Sequence, residues 1–103
     1  MPFAQSPAYV FSAEGIRECA PERSGVFALF TPTEWVYVGA ADNVRQALFD
    51  LLNASGTSLE SYQPLSFSSE EAEGSERTLR RDAMIAELRP AWNSRAAAAA
   101  RAR

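Results

Sequence analysis

Histidine and lysine are both absent from this 103-residue chain, and cysteine occurs once, at Cys19. Without histidine the usual general base at neutral pH and the commonest metal ligand are missing. A single cysteine excludes an intramolecular disulfide. No apolar run approaches the roughly 18 residues that span a bilayer. The N-terminus has no basic stretch leading into an apolar one, so no secretory leader is expected. Positive charge is also scarce: 13 acids face 10 bases, all arginine, for a net charge of −3. That balance argues against broad nucleic-acid binding, which needs a clustered positive face. One cytoplasmic domain that does not enter membranes is the expectation.

What is present centres on residues 24–39. Gly25-Val26-Phe27-Ala28-Leu29-Phe30 and Trp35-Val36-Tyr37-Val38 are rich in β-branched and aromatic types and read as two strands. Thr31-Pro32-Thr33-Glu34 between them is a turn, with proline fixing φ. Strict alternation puts Val26, Ala28 and Phe30 on one face and Phe27 and Leu29 on the other. By the same rule Val36 and Val38 share a face, with Trp35 and Tyr37 opposite. Both faces are apolar, so both need cover.

Before the hairpin, Pro2 and Pro7 mark an extended arm that Tyr9, Val10 and Phe11 anchor. Ser12 reads as the N-cap of a short helix over 13–19, with Phe11 and Ile16 at hydrophobic-staple spacing. After the hairpin, Val44, Ala47, Leu48, Leu51 and Leu52 form the apolar stripe of a helix over 43–52. Residues 64–68 alternate and predict a third strand. Glu70, Glu71 and Glu73 then read as a solvated polar loop. A last helix is predicted over 76–88, capped by Ser75, with Glu76 paired to Arg80. Pro90 ends it, Trp92 anchors a terminal turn, and residues 94–103 are an Ala/Arg-rich tail. The segments are thus an arm with a short helix over 1–20, a domain over 21–93 and the tail.

Four landmarks in order carry a resemblance. Gly25-Val26-Phe27 is followed by Tyr37-Val38-Gly39, then Ala41-Asp42-Asn43-Val44, and finally Arg89-Pro90-Ala91-Trp92-Asn93. In these the sequence resembles the GIY-YIG nuclease domain. The resemblance implies an α+β fold, a small three-stranded antiparallel sheet flanked by helices. It also implies a phosphodiester-cutting site of two strand tyrosines, a basic residue, a helix arginine and a glutamate holding a divalent metal.

Position by position, the sequence departs from what that resemblance implies. Phe27 stands for the first tyrosine, while Tyr37 keeps the second. Ala40 falls at the basic position, Ala47 at the arginine and Leu51 at a polar ring. Counting back from Arg89-Pro90, Arg81 falls at the metal-binding glutamate, where a cation repels the metal. Asp82 is about 100° further round the helix, Glu76 lies more than a turn earlier and Glu87 near the wrong end.

The first expectation is therefore a catalytically inactive domain with no metal cofactor. Its former cleft, lined by Phe27, Leu29, Trp35, Tyr37, Leu51 and Arg81, would bind a protein partner or a second copy. One alternative is a divergent endonuclease using Mg²⁺ or Mn²⁺ with Tyr37. Another is a non-catalytic nucleic-acid binder using Arg45, Arg77, Arg80 and Arg81. Arg45 reads as a solvated helix residue, Arg81 as a partner of Asp42, Asp50 or another local acid, and Cys19 as a small apolar residue.

Overall fold

The computed structural model describes residues 8–53 and 64–91. The expected tail over 94–103, and Trp92 with Asn93, lie outside these residues. In chain order the elements are β1 (Tyr9–Val10), α1 (Ala13–Cys19), β2 (Gly25–Phe30), β3 (Trp35–Ala41), α2 (Val44–Asn53), β4 (Ser66–Glu71) and α3 (Gly74–Leu88). The sheet has four strands, not three, in the order β1-β4-β2-β3, and each adjacent pair is antiparallel. The additional strand is the anchoring part of the arm. Tyr9 pairs with Phe67 and Val10 with Ser66, and two residues are too short for alternation to announce a strand.

β2 lies between β4 and β3, and every residue of it except Phe30 is buried. Its alternation divides the interior as the sequence predicts. Phe27 and Leu29 join Ile16, Val44, Leu48 and Phe67 in a core under α1 and α2. Val26 and Ala28 join Val38 and Met84 in a second core under α3. The order of these layers follows from the helical stripes: Leu48 and Val44 are the buried residues of α2, and Met84 is that of α3.

β3 breaks the simple alternation. The register runs from Gly25↔Ala41 to Leu29↔Tyr37, then shifts so that Phe30 faces Trp35. The extra residue is a β-bulge, and it turns the strand by one position. Val36 therefore enters the α1–α2 core while Trp35 packs on the α3 side. The expected pairing of Val36 with Val38 on one face, and of Trp35 with Tyr37 on the other, is wrong for this reason.

Local chemistry fixes the ends of the elements. Ser12 Oγ accepts from the Gly15 backbone N–H at 3.1 Å and caps α1, whose range matches the sequence reading. In the hairpin turn, Thr31 Oγ1 accepts from the N–H groups of Thr33 and Glu34. Asn43 Oδ1 accepts from Gln46 N–H and caps α2. β4 extends to Glu71, so Glu70 and Glu71 belong to a strand and not to a polar loop. Their side chains are drawn into ion pairs with Arg80 and Arg23, which offsets the weak strand preference of glutamate. α3 begins at Gly74, not Glu76. Glu73 is at its N-cap and makes no side-chain capping bond, so Ser75 lies inside the first turn. Arg89 closes α3 in the left-handed conformation, φ 47°.

Gly25 begins β2 where no side chain fits. A Cβ there would stand 2.4 Å from the Glu70 carbonyl oxygen, a backbone atom held in the ladder. Gly25→Ala is expected to lower the unfolding free energy by about 1–3 kcal/mol, the usual cost of overpacking. Phe67→Ala, which empties the middle of the α1–α2 core, is expected to cost about 3–5 kcal/mol. Urea denaturation of both variants measures these losses, and an unchanged midpoint for Gly25→Ala contradicts the packing described.

Candidate functional site

Tyr37 and Phe27 stand across the β2–β3 ladder, their ring centroids 6.1 Å apart and tilted by 48°. Gly39 makes this possible, since a Cβ there would come within 2.7 Å of Phe27 Cζ and 2.9 Å of Tyr37 Cε2. Phe27 is 3% exposed and Leu29 is fully buried. Tyr37, Ala47 and Leu51 are half-buried against the same core. Ala40 and Trp35 lie on the opposite side of the sheet, packed towards α3.

The expected apolar docking face is thus not a face. Phe27 and Leu29 are interior residues of this chain's own core, and the bulge sends Trp35 to the other side of the sheet. Sequence reasoning missed this because it treated β3 as regular and the replaced cleft as open.

The arginines are spread over both layers, and Arg23, Arg45, Arg77, Arg80 and Arg81 each have an acid. Arg45 Nε donates to the Ala20 carbonyl at 2.8 Å and its Nη1 lies 3.0 Å from Glu22. It clamps α2 to the end of α1 and is not the solvated helix residue expected. Arg77 donates to Ser24 Oγ at 2.9 Å and pairs with Asp42. Ser24 in turn donates to the Ala72 carbonyl at 2.7 Å. This network ties the start of β2, the end of β3 and the first turns of α3 together. No sequence signal pointed to it, because its members are brought together only by the sheet.

Arg80 pairs with Glu70 on β4, not with Glu76. Arg81 donates from Nε and Nη2 to one oxygen of Asp82, at 3.1 and 3.0 Å. Its partner is the local acid one residue on; Asp42 is held by Arg77, and Asp50 accepts from Gln46. The acids left without an ion pair outnumber the arginines so left, Arg17 and Arg89, among the described residues. The supposed basic face of Arg45, Arg77, Arg80 and Arg81 is therefore neither contiguous nor unneutralised. Cys19 packs against the α1–α2 core, as a small apolar residue does.

Two opposed influences act on the Tyr37 phenol. Burial penalises the phenolate and raises its pKa above the ordinary 10.0, while the Arg81 guanidinium pulls it down. Arg81 thus acts electrostatically on Tyr37. Among the described residues, no group of three or more His, Cys, Asp or Glu side chains is placed to hold a metal ion. None of the described helices is long and apolar enough to cross a membrane.

No protein-family model matches the chain. No curated protein sequence matches it either. Solved structures do. The chain is similar to the N-terminal GIY-YIG endonuclease domain of UvrC from Thermotoga maritima bound to magnesium. That match has a TM-score of 0.61 at 24% identity, over 77% of this chain and 96% of that one. Two point mutants of the same domain, each bound to its catalytic divalent cation, match over 77% of this chain and 94% of theirs. Their TM-scores are 0.61 and 0.59, at 24% and 25% identity. The fold is GIY-YIG-like. In this GIY-YIG-like fold, the two strands that carry the signature triplets are β2 and β3, and Phe27 and Tyr37 are their central aromatics.

The position of Tyr37 sets a pH dependence. Its phenolate absorbance is expected to appear above pH 10.0, measured as the difference between the wild type and Tyr37→Phe. A raised pKa means that the folded state keeps its proton longer than the unfolded chain. The Tyr37 contribution to stability is therefore complete below pH 10.0 and is lost as pH rises from there through the folded value. Arg81→Leu removes the opposing charge and moves the titration further up. A downward movement contradicts the placement of Arg81.

Proposed function

We propose that this GIY-YIG-like domain does not cleave phosphodiesters and serves as a non-catalytic protein-interaction module. The observation that carries the reading is the Arg81 guanidinium acting on the Tyr37 phenol. In the correspondence drawn from the sequence, Arg81 stands where a glutamate would hold the metal. The donor set there does not fit a divalent cation, since a guanidinium is positive at every accessible pH and offers no lone pair. Phe27 has no hydroxyl, and Ala40, Ala47 and Leu51 supply neither charge nor hydrogen bonds. Of the apolar residues expected to bind the partner, Phe27 and Leu29 are interior and Trp35 lies on the other side of the sheet, so they do not form one docking face. The excess of unpaired acids favours a neutral or basic protein over a nucleic acid.

The second reading is a divergent metal-dependent nuclease. It is favoured by the likeness to endonuclease domains that hold their catalytic divalent cation, magnesium in one of them. On that reading Tyr37 is the residue in play and the acid is one not yet assigned.

The two readings separate in one experiment. Purified protein is incubated with single-stranded, duplex and branched DNA in Mg²⁺ and in Mn²⁺. No cleavage above a protein-free control is expected, and no shift of the thermal midpoint on adding either metal. Cleavage that disappears in Tyr37→Phe overturns the first reading in favour of the second. Sedimentation of the wild type across a range of concentrations tells whether the partner is a second copy.

A further inference from the structure

β1 is an edge strand, and between it and α1 an open groove remains. Gly15 brings the two elements together, since a Cβ there would collide with the Val10 carbonyl oxygen. The groove beside this contact has a volume of about 360 Å³ and is lined by Tyr9, Val10, Glu14, Gly15, Glu18 and Cys19. Its walls are of two kinds. Tyr9, held against Phe67 with ring centroids 5.6 Å apart, gives an apolar wall with Val10 and Cys19. Val10 is 68% exposed, so the apolar lip is open to solvent. Glu14 and Glu18 give the other wall, and neither is in an ion pair among the described residues. Like charges one turn apart on a helix repel each other. Arg17, the base of the same helix, pairs with neither and does not line the groove.

We propose that this groove binds an arginine side chain of a partner protein. The inference rests on the reading of the domain as an interaction module, and it names the place and the chemistry of the contact. Charge decides the class of ligand. The groove presents two carboxylates and no base, so a cation is complementary to it and a nucleic acid is repelled. The apolar wall decides the form of the cation. A bare metal ion gains nothing from Tyr9 and Val10, whereas a long basic side chain lays its methylene stem along them and keeps its charged head at the carboxylates. Of the two basic side chains, arginine fits better. Its planar fork donates to two carboxylates at once and its face stacks on an aromatic ring, which an ammonium point charge does not do. The volume is near the low end of the range for ligand pockets, about 300–1,000 Å³, which suits one side chain and not a packed helix. The walls stand ready before binding: Phe67 holds Tyr9, and Ser12 Oγ holds the Gly15 N–H. Such preorganisation lowers the cost of ordering the site.

The test uses the full chain, isotopically labelled, and two glycine–serine peptides that differ in one respect. One carries arginines, and the other carries neutral citrulline in their place. The arginine peptide is expected to move the amide signals of Gly15, Glu18 and Cys19. It is also expected to slow alkylation of Cys19, the only thiol in the chain, by iodoacetamide. The citrulline peptide is expected to bind at least about tenfold more weakly, the loss of a charge-assisted contact. Glu14→Gln together with Glu18→Gln is expected to weaken the arginine peptide to the same extent. Both glutamates are exposed, so the fold is expected to tolerate the change, with an unmoved thermal midpoint as the check. Glu76→Gln with Glu87→Gln, on α3, is expected to leave binding unchanged. Equal affinity for the two peptides, or for the wild type and the Glu14 and Glu18 variant, overturns the proposal. Signals that move over α3 instead overturn the groove and leave the interaction module standing. Groove signals that move on raising the protein concentration alone also overturn it, because the occupant is then a second copy. Failure of the module itself is read separately, from DNA cleavage that is lost in Tyr37→Phe.

Discussion

β2 is apolar on both faces, and a strand of that kind cannot remain at a solvated surface. Each of its faces requires its own layer, so the chain must supply helices to both sides of one small sheet. α1 and α2 answer Phe27 and Leu29; α3 answers Val26 and Ala28. Antiparallel partners on both edges satisfy its backbone groups. In a chain of this size the burial of one such strand decides most of the architecture.

The charged groups are arranged around that frame rather than within a cleft. Arg45 fastens α2 to the end of α1, Arg77 fastens α3 to both ends of the hairpin, and Arg80 fastens α3 to β4. Exposed ion pairs contribute little individually, about 0–1 kcal/mol. Those with backbone or hydroxyl partners do more, because they also hold part-buried oxygens. The arginines therefore read as fasteners between layers. Arg81 differs, since its partner is its own neighbour on the helix and its field falls on Tyr37.

Much of this was legible in the chain. Ser12 and the staple residues fixed α1 because capping is local. The stripe of α2 and the two faces of β2 followed from period alone. The signature triplets pointed to a GIY-YIG-like fold, and the solved structures bear that out. What failed was non-local. A bulge leaves no mark on the residues that form it, so Val36 and Trp35 were put on the wrong faces. β1 is a strand only because β4 lies beside it. Glu70 and Glu71 look like loop residues until Arg80 and Arg23 arrive from elsewhere. At the site, residue identities were readable but their exposure was not. Phe27 and Leu29 seemed to line a groove, whereas they fill the interior.

The nesting of Phe27 on Gly39 joins two positions into one unit of change. The ring carbon that would carry a phenol oxygen is also the atom nearest the missing Gly39 side chain. A methyl at position 39 is accepted only together with a smaller side chain at position 27, so the two positions change as a pair.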